Sequence, residues 1–234
     1  MTVRGYPARM SVSELSESTQ NYLKVVWALQ EWSEEPVTTS VIAQRLGLRL
    51  SSVSESVRRL TEQGLLEHPR YGSVGLTEAG RAHAVAMVRR HRLIETFLVN
   101  ALNYRWDEVH EEAEQLEHVV SDLMVTRIDE FLGKPTRDPH GDPIPAADGT
   151  VHRPDARQLT GMPPGTRCRV ERISDADAAR LQYFADNGLV IDTELLVLDS
   201  ATGADTLTIR VADRTDHLSL GPAATDAVWV SHQP

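Results

Sequence analysis

Apolar residues recur at helical spacing in the N-terminal part of the chain. The spacing predicts one helix from about Leu15 to Trp32, which Pro36 ends, and two shorter helices joined by a turn at Gly47. Hydroxyl side chains stand where the short helices should begin, and the candidate N-caps are Thr39 or Ser40 for the first and Ser51 or Ser52 for the second. A helix, a glycine turn and a second helix form the helix-turn-helix motif.

Two short strands should follow this motif, with a turn at Tyr71-Gly72, and together they would form a wing. A long helix is then expected from roughly Glu78 to Leu102, with Thr77 as its cap. After a break, a further helix is expected to contain His110 and to end near Leu132-Gly133. The first half of the chain is therefore predicted to be helical, apart from the wing.

The segment 133–158 is rich in residues that interrupt regular structure, with five of the 12 prolines and three glycines. We interpret it as a partly ordered linker in which His140 and His152 face solvent. From residue 159 the pattern changes to short alternating runs, with one helix that ends before Gly188. A strand, a helix and several short antiparallel strands predict a small β-barrel, so the fold class is mainly α with a small β domain.

Composition restricts the class of protein. No apolar run approaches the roughly 18 residues of a transmembrane helix, and the N-terminus lacks the apolar core of a signal peptide. The single cysteine, Cys168, excludes an internal disulfide framework and thiolate zinc clusters. We therefore expect a cytoplasmic protein with no membrane partner, in which nitrogen and oxygen ligands hold any metal.

The net charge of −10 disfavours nucleic-acid binding, but the charge is unevenly distributed. Residues 1–82 carry nine Lys/Arg and nine Asp/Glu, and DNA binding requires only a local basic face. The second helix of a winged helix-turn-helix lies in the major groove. The candidate DNA contacts are Arg49, Ser51, Ser52, Ser54, Glu55, Arg58 and Arg59 around that helix, with Arg70 and Tyr71 on the wing. Winged helices also make protein–protein contacts, which is the alternative.

Histidine and glutamate residues at helical spacing form a candidate metal site. The residues are His110, Glu114, Glu117 and His118 on one predicted helix, and His91 and Glu95 on the preceding helix. The first four fall within an arc of roughly 100° on a continuous helix. Imidazole and carboxylate groups on one stripe suit a divalent cation. On spacing alone, the alternative is a solvated helix face.

The order of these motifs is similar to that of a known family. The motifs are SSVSESVRRLTEQGLLEHPRYGSVGLTEAG, RRHRLIETFL, WDEVHEEAEQLEHVVSD and RDPHGDPIP, followed by the predicted barrel. Over nearly its whole length the chain resembles the diphtheria toxin repressor family of metal-dependent transcriptional repressors, and it is most similar to manganese-responsive members that keep a third domain. The implied domains are a winged helix-turn-helix DNA-binding domain (1–82), a helical dimerisation and metal-binding domain (83–132), the linker (133–158) and a FeoA-like SH3-type β-barrel (159–234).

The resemblance also implies two metal sites in each subunit. The primary site would be formed by Asn21, Glu114, Glu117 and His118, and the ancillary site by His91, Glu95, His110 and Asp177. Three positions depart from the family pattern. Asn21 is an uncharged ligand where the family more often has Asp or Met, Lys24 stands where short manganese members have a carboxylate, and Arg180 cannot coordinate a cation.

The implied function is that of a homodimer whose metal-loaded form binds a double-stranded DNA operator and represses metal-uptake genes. Glu114 stands where iron-responsive members have Cys, which favours Mn(II), while Fe(II), Co(II) or Zn(II) could bind in vitro. The alternatives are an iron-responsive repressor of the same family, a winged-helix regulator of another ligand, and a metalloenzyme. No H-E-x-x-H motif, nucleophile elbow or phosphate loop is present in the sequence, so we expect no enzymatic activity.

Overall fold

The structure is a computed structural model that describes residues 15–70, 72–199, 205–212 and 214–232. The chain divides into two compact units, each built from several segments. One comprises Met1–His91, Glu117–Arg127 and Pro145–Gly149, and the other Arg92–Leu116, Ile128–Ile144 and Thr150–Pro234. No helix among the described residues is long and apolar enough to cross a bilayer.

The first unit contains the helix-turn-helix and the wing. Its elements are α1 (Glu17–Glu31), α2 (Thr39–Leu46), α3 (Leu50–Glu62), β1 (Leu66–Glu67) and β2 (Gly75–Leu76), with β1 and β2 antiparallel. The turn between α2 and α3 is made by Gly47, whose φ of 65° is the left-handed conformation that glycine adopts most readily. The predicted helix-turn-helix and strand pair are therefore confirmed.

The helix caps differ from the predicted ones by one to three residues. Thr38 caps α2, where its hydroxyl accepts a hydrogen bond from the backbone N–H of Val41. Arg49 is the N-cap of α3 and makes no side-chain capping bond, so the serines expected to cap this helix lie inside its first turn. The buried apolar residues of the three helices include Leu23, Val26, Ile42, Val53, Val57 and Leu60, which form the core of the unit.

Three helices follow: α4 (Glu78–Leu102), α5 (Val109–Leu116) and α6 (Asp122–Phe131). The bounds of α4 are those predicted, and the Thr77 hydroxyl accepts a hydrogen bond from the Gly80 N–H. The single helix expected through His110 to residue 132 is wrong. Its pattern is divided by a turn at residues 117–121, where the Ser121 hydroxyl accepts from the Met124 N–H and starts a new helix. Glu117 and His118 therefore lie in the turn after α5 and not on the helix face that carries His110.

The second unit is built around a six-stranded antiparallel sheet. Its elements from residue 157 onward are β3 (Arg157–Gln158), β4 (Arg167–Ile173), α7 (Ala178–Asp186), β5 (Glu194–Leu198), β6 (Leu207–Val211), β7 (His217–Leu220), α8 (Pro222–Thr225) and β8 (Val228–His232), so β3 lies at the end of the segment interpreted as a linker. The strand order is β3-β8-β4-β5-β6-β7. Leu181 and Phe184 of α7 are buried in the same cluster as the inward-facing residues of β4, β5 and β8. The predicted strand, helix and short strands are all present.

The Pro/Gly-rich segment contains no helix, but it is closely packed where it carries the RDPHGDPIP motif. Gly141 has a φ of 87°, and a Cβ built on it would lie 2.0 Å from the carbonyl oxygen of Glu171 in β4. The Ile173 N–H donates to the carbonyl of His140 at 2.9 Å. His140 is fully buried, so the prediction that it faces solvent is wrong, whereas His152 is exposed as predicted.

Candidate metal centre

Three buried side chains of the second unit converge: Glu95 from α4, and Asp138 and His140 from the Pro/Gly-rich segment. Each offers one ligand atom, and these atoms all lie within 4.8 Å of one another. The relative exposures are 1%, 6% and 0%. Two carboxylates and an imidazole at this separation are a suitable donor set for one divalent cation.

The hydrogen bonding of His140 leaves one ring nitrogen available to a metal. Its Nε2 lies 2.7 Å from the carbonyl oxygen of Trp106, which can only accept, so Nε2 carries the proton. In the neutral ring Nδ1 then has the free lone pair. Nδ1 is buried, has no hydrogen-bond partner among the described residues, and lies 4.0 Å from Oε2 of Glu95. A buried acceptor of this kind is costly unless something binds to it, and a backbone bond on the opposite nitrogen is the usual support of a metal-bound histidine.

Asp138 is held by the backbone of its own loop. Its Oδ1 accepts from the N–H groups of His140, at 2.8 Å, and Asp142, at 2.9 Å. The pKa of Asp138 is raised to about 8, first by burial and then by the nearby carboxylates of Asp142 and Glu95, while His140 and Arg92 oppose this rise. An excess of buried negative charge therefore surrounds the position that a cation would fill.

Two arginines neutralise the neighbouring Asp142. Arg172 Nε of β4 lies 2.6 Å from its Oδ1, and Arg92 Nη2 of α4 lies 3.3 Å from the same oxygen. Arg92 also donates to the carbonyl of Pro143 at 2.8 Å. Through these contacts Asp142 attaches its loop to both α4 and β4. The two arginines neutralise Asp142, whereas Glu95 and Asp138 face His140.

A second imidazole approaches Glu95 from α5. His110 Nδ1 lies 3.2 Å from Oε1 of Glu95 and 2.9 Å from Oδ2 of Asp175. Burial lowers the pKa of His110, but its bonds with Asp175 and Glu95 outweigh this effect and raise the pKa to about 10. The two oxygens of Glu95 thus face two histidines. Glu114 lies 3.6 Å from Nε2 of His110 and is half-exposed.

In the structure Asp175, rather than the expected Asp177, lies beside His110 and Glu95. Asp177 caps α7, where it accepts from the N–H of Arg180 at 3.1 Å and pairs with that guanidinium at 3.2 Å. Its contacts are therefore within α7. Sequence reasoning does not identify Asp175 as a ligand, and it misses Asp138 and His140 because their segment has the composition of a linker. The spacing Asp138-x-His140 was the available signal.

A separate cluster in the first unit surrounds Glu117, which is fully buried. Lys24 Nζ of α1 lies 2.8 Å from both oxygens of Glu117, and Nδ1 of His91 lies 2.5 Å from Oε2. Burial raises the pKa of Glu117, but His91 and Lys24 outweigh this effect and hold it below its ordinary value. The Glu117 carboxylate is thus ionised and already paired with a cation.

His118 contacts a different residue of α1 from the expected one. Its Nδ1 lies 2.8 Å from Oε1 of Gln20, the neighbour of Asn21. Asn21 is half-buried and lines a surface pocket with Tyr22, Leu46 and Leu48. Its role as a ligand stays a prediction.

The candidate DNA-binding face lies on α3. Its predicted contact residues are exposed: Arg49, Ser51, Ser52, Ser54, Glu55, Arg58 and Arg59, together with Arg70 of the wing. Tyr71 lies outside the described residues. Arg58 pairs with Glu62 at 3.1 Å, but both side chains are more than half exposed, so this pair is available to exchange for a phosphate contact.

Three family models match successive parts of this chain. The family described as "Iron dependent repressor, N-terminal DNA binding domain" matches residues 14–74, its "metal binding and dimerisation domain" matches residues 77–146, and the FeoA domain matches residues 157–232. The iron-dependent repressor IdeR of Mycobacterium leprae is 33% identical over 82% of this chain and 88% of its own. The diphtheria toxin repressor of Corynebacterium diphtheriae is 29% identical over 92% of this chain and 93% of its own.

A solved structure described as a manganese-dependent transcriptional repressor in complex with manganese is 52% identical to this chain. It covers 92% of this chain and 100% of its own, with a TM-score of 0.87. The buried histidine and carboxylate groups, the winged helix and these relatives lead to one conclusion: the chain belongs to the diphtheria toxin repressor family of metal-dependent transcriptional repressors.

Proposed function

We propose that this protein is a homodimeric repressor that Mn(II) activates for binding to operators of metal-homeostasis genes. The observation that carries the proposal is the buried group of Glu95, Asp138 and His140, in which Nδ1 of His140 has no hydrogen-bond partner among the described residues. When bound, the metal supplies positive charge and coordination that joins these side chains. We propose that His110 and Asp175 complete this site, and that a second metal uses Glu117 and His118, with Glu114 and Asn21 as further ligands.

The type of donor atom supports Mn(II) over softer ions. Among the described residues, the groups able to hold a metal contain carboxylates and imidazoles but no thiolate. The only cysteine, Cys168, is buried in the sheet of the second unit. Oxygen-rich sites suit Mn(II), whereas sulfur ligands favour Fe(II), Co(II) and Zn(II) over it. The 52% identical structure described as manganese-dependent supports the same choice.

Exposed apolar residues support the dimer. Val119, Leu123 and Met124 follow one another around the turn before α6 and its first residues, with relative exposures of 77%, 68% and 49%. Large apolar side chains this close together on a surface mark a contact with another protein. Two subunits joined in this way would present two α3 helices to two half-sites of an operator.

The chain's own residues suggest how metal and DNA binding are coupled. Glu117 and His118 contact Lys24 and Gln20 of α1, which belongs to the helix-turn-helix unit. A metal on Glu117 and His118 with Asn21 of α1 as a further ligand would fix the position of α1. If the DNA-binding form binds metal more tightly, DNA must tighten metal binding by the same factor.

The test is operator binding by the full chain after chelation and after addition of Mn(II), Fe(II), Co(II), Zn(II) or Mg(II), with the iron samples kept anaerobic. We expect specific retention of DNA with Mn(II) at lower concentration than with the other ions. Equal DNA affinity with and without metal would refute the proposal. Activation by Fe(II) but not Mn(II) would favour an iron-responsive repressor, which the 33% identical mycobacterial relative makes the second candidate.

A further inference from the structure

The Glu117 carboxylate already has a cation, which the protein itself supplies. Lys24 Nζ is 2.8 Å from each of its two oxygens and 3.3 Å from Nδ1 of His91. The Lys24 side chain is 14% exposed and that of Glu117 is 1% exposed. Because both groups are largely shielded from solvent, removing either partner alone would leave an uncompensated buried charge, which is strongly destabilising.

A metal ion and the Lys24 ammonium cannot both hold Glu117 in this way. Both need the same carboxylate oxygens, and two positive charges a few ångströms apart in a buried site repel each other strongly. Lys24 can leave, because its four-carbon side chain is flexible and reaches the cluster from α1, whose outer face is exposed. The carboxylate cannot leave with it, since Glu117 is fully buried.

We propose that Lys24 is an internal competitor of the metal at Glu117, and that its displacement sets the metal concentration at which this site fills. This inference rests on the proposed metal-dependent function. Without metal the ammonium satisfies a buried carboxylate that would otherwise be destabilising. With metal it is released from Glu117, so the site responds only above the concentration at which the ion outcompetes a tethered ammonium.

The sequence allows a direct test of displacement, because Lys24 and Lys134 are the only two lysines. Lys134 is exposed and belongs to the other unit, so it serves as an internal reference. The full chain is treated briefly with an acetylating reagent at increasing MnCl2, with MgCl2 as the ionic control, and the two lysine peptides are quantified by mass spectrometry. An ammonium in a buried ion pair reacts slowly, whereas a released side chain reacts at the rate of an exposed lysine.

We expect Mn(II) to raise the labelling of Lys24 relative to Lys134 several-fold, in step with one binding event measured by isothermal titration. In the Glu117→Gln variant Lys24 should be labelled rapidly without metal, and this rate defines the labelling of a Lys24 that is not paired with residue 117. If Mn(II) binds and activates DNA binding while Lys24 labelling stays constant or falls, the inference alone is overturned. If the wild-type chain takes up no Mn(II), the proposed function fails, and the inference fails with it.

Two substitutions test the role of the charge. In Lys24→Leu the Mn(II) concentration that half-fills the site should fall about tenfold or more, because no ammonium competes for the buried carboxylate. Lys24→Arg keeps the charge and should not show this gain. The labelling experiment uses the wild-type chain, so it remains decisive even if Lys24→Leu folds poorly. Equal Mn(II) affinity in folded Lys24→Leu and wild-type protein would overturn the inference.

Discussion

Replacing Asp138 by Asn should stabilise the metal-free protein while weakening its response to Mn(II). Asn keeps the oxygen that accepts the two backbone N–H groups of His140 and Asp142, so the loop retains both hydrogen bonds. It removes a negative charge from a buried site that already contains other carboxylates. A carboxylate that destabilises the metal-free protein is therefore one that we expect the metal to need.

The magnitude follows from the pKa of Asp138, which is raised from 3.8 to about 8. Because the folded state holds the proton more tightly than the unfolded state, stability decreases as the pH rises through this interval. From the unfolded-state pKa to pH 7 is about three pH units, and each unit corresponds to about 1.4 kcal/mol. The upper limit of the destabilisation by Asp138 at pH 7 is therefore ~4 kcal/mol. Asn also loses the attraction to Arg92, whose Nε lies 3.6 Å from Oδ2. We therefore expect a net gain of about 2 kcal/mol.

The assay is urea unfolding followed by tryptophan fluorescence, in chelator and in Mn(II), between pH 4 and pH 9. In chelator, the gain of Asp138→Asn over wild type should vanish near pH 4 and level off above pH 8. Mn(II) should stabilise the wild type more than the variant, because only the form that binds metal gains from it. Asp155→Asn, on an exposed residue, is the matched control and should change neither quantity. A variant that is less stable than wild type at pH 7 in chelator would refute the reasoning.

Three further predictions concern metal and DNA binding. His140→Gln should lower the Mn(II) affinity at least about tenfold, as expected for loss of a ligand. His152→Gln changes an exposed residue of the same segment and should leave the affinity unchanged, and isothermal titration of both variants with Mn(II) measures the difference. Mn(II) binding at pH 7 should release protons and tighten as the pH rises, because the pKa of His110, raised to about 10, keeps this residue protonated until metal binds. Calorimetric titration in buffers of different ionisation enthalpy would detect the released protons, and a binding heat that does not depend on the buffer would contradict the prediction. Arg58→Ala and Arg59→Ala should weaken binding to all DNA sequences and reduce the salt slope by about one each, and an unchanged slope would remove them from the phosphate contacts.

Sequence periodicity was sufficient for most of the helical part of the fold. The bounds of α4 follow from its cap and from its apolar repeat, and both are local signals. The same repeat misled the prediction across residues 117–121, where a local capping serine competes with helix continuation. That difference matters for the site, because it separates Glu117 and His118 from His110.

The ligand groups depended on contacts that no local pattern encodes. His140 lies in a segment whose prolines and glycines indicate a linker, and it is buried only because β4 and Trp106 bind its backbone carbonyl and its ring. Asp175 and Asp177 both precede α7, and the sequence does not distinguish which of them caps the helix. In the structure Asp177 caps it, which leaves Asp175 to reach His110.

Gly141 shows that the metal response can be lost without changing any ligand. The missing side chain lets the loop approach β4 so closely that one added methyl group would collide with the Glu171 carbonyl. To relieve that collision the loop must move away from β4, and Asp138 and His140 on the same loop would move with it. A genetic screen for constitutively derepressed alleles should therefore recover substitutions at this glycine as often as at the histidines. Such alleles would yield folded protein that binds DNA weakly whatever the metal supply.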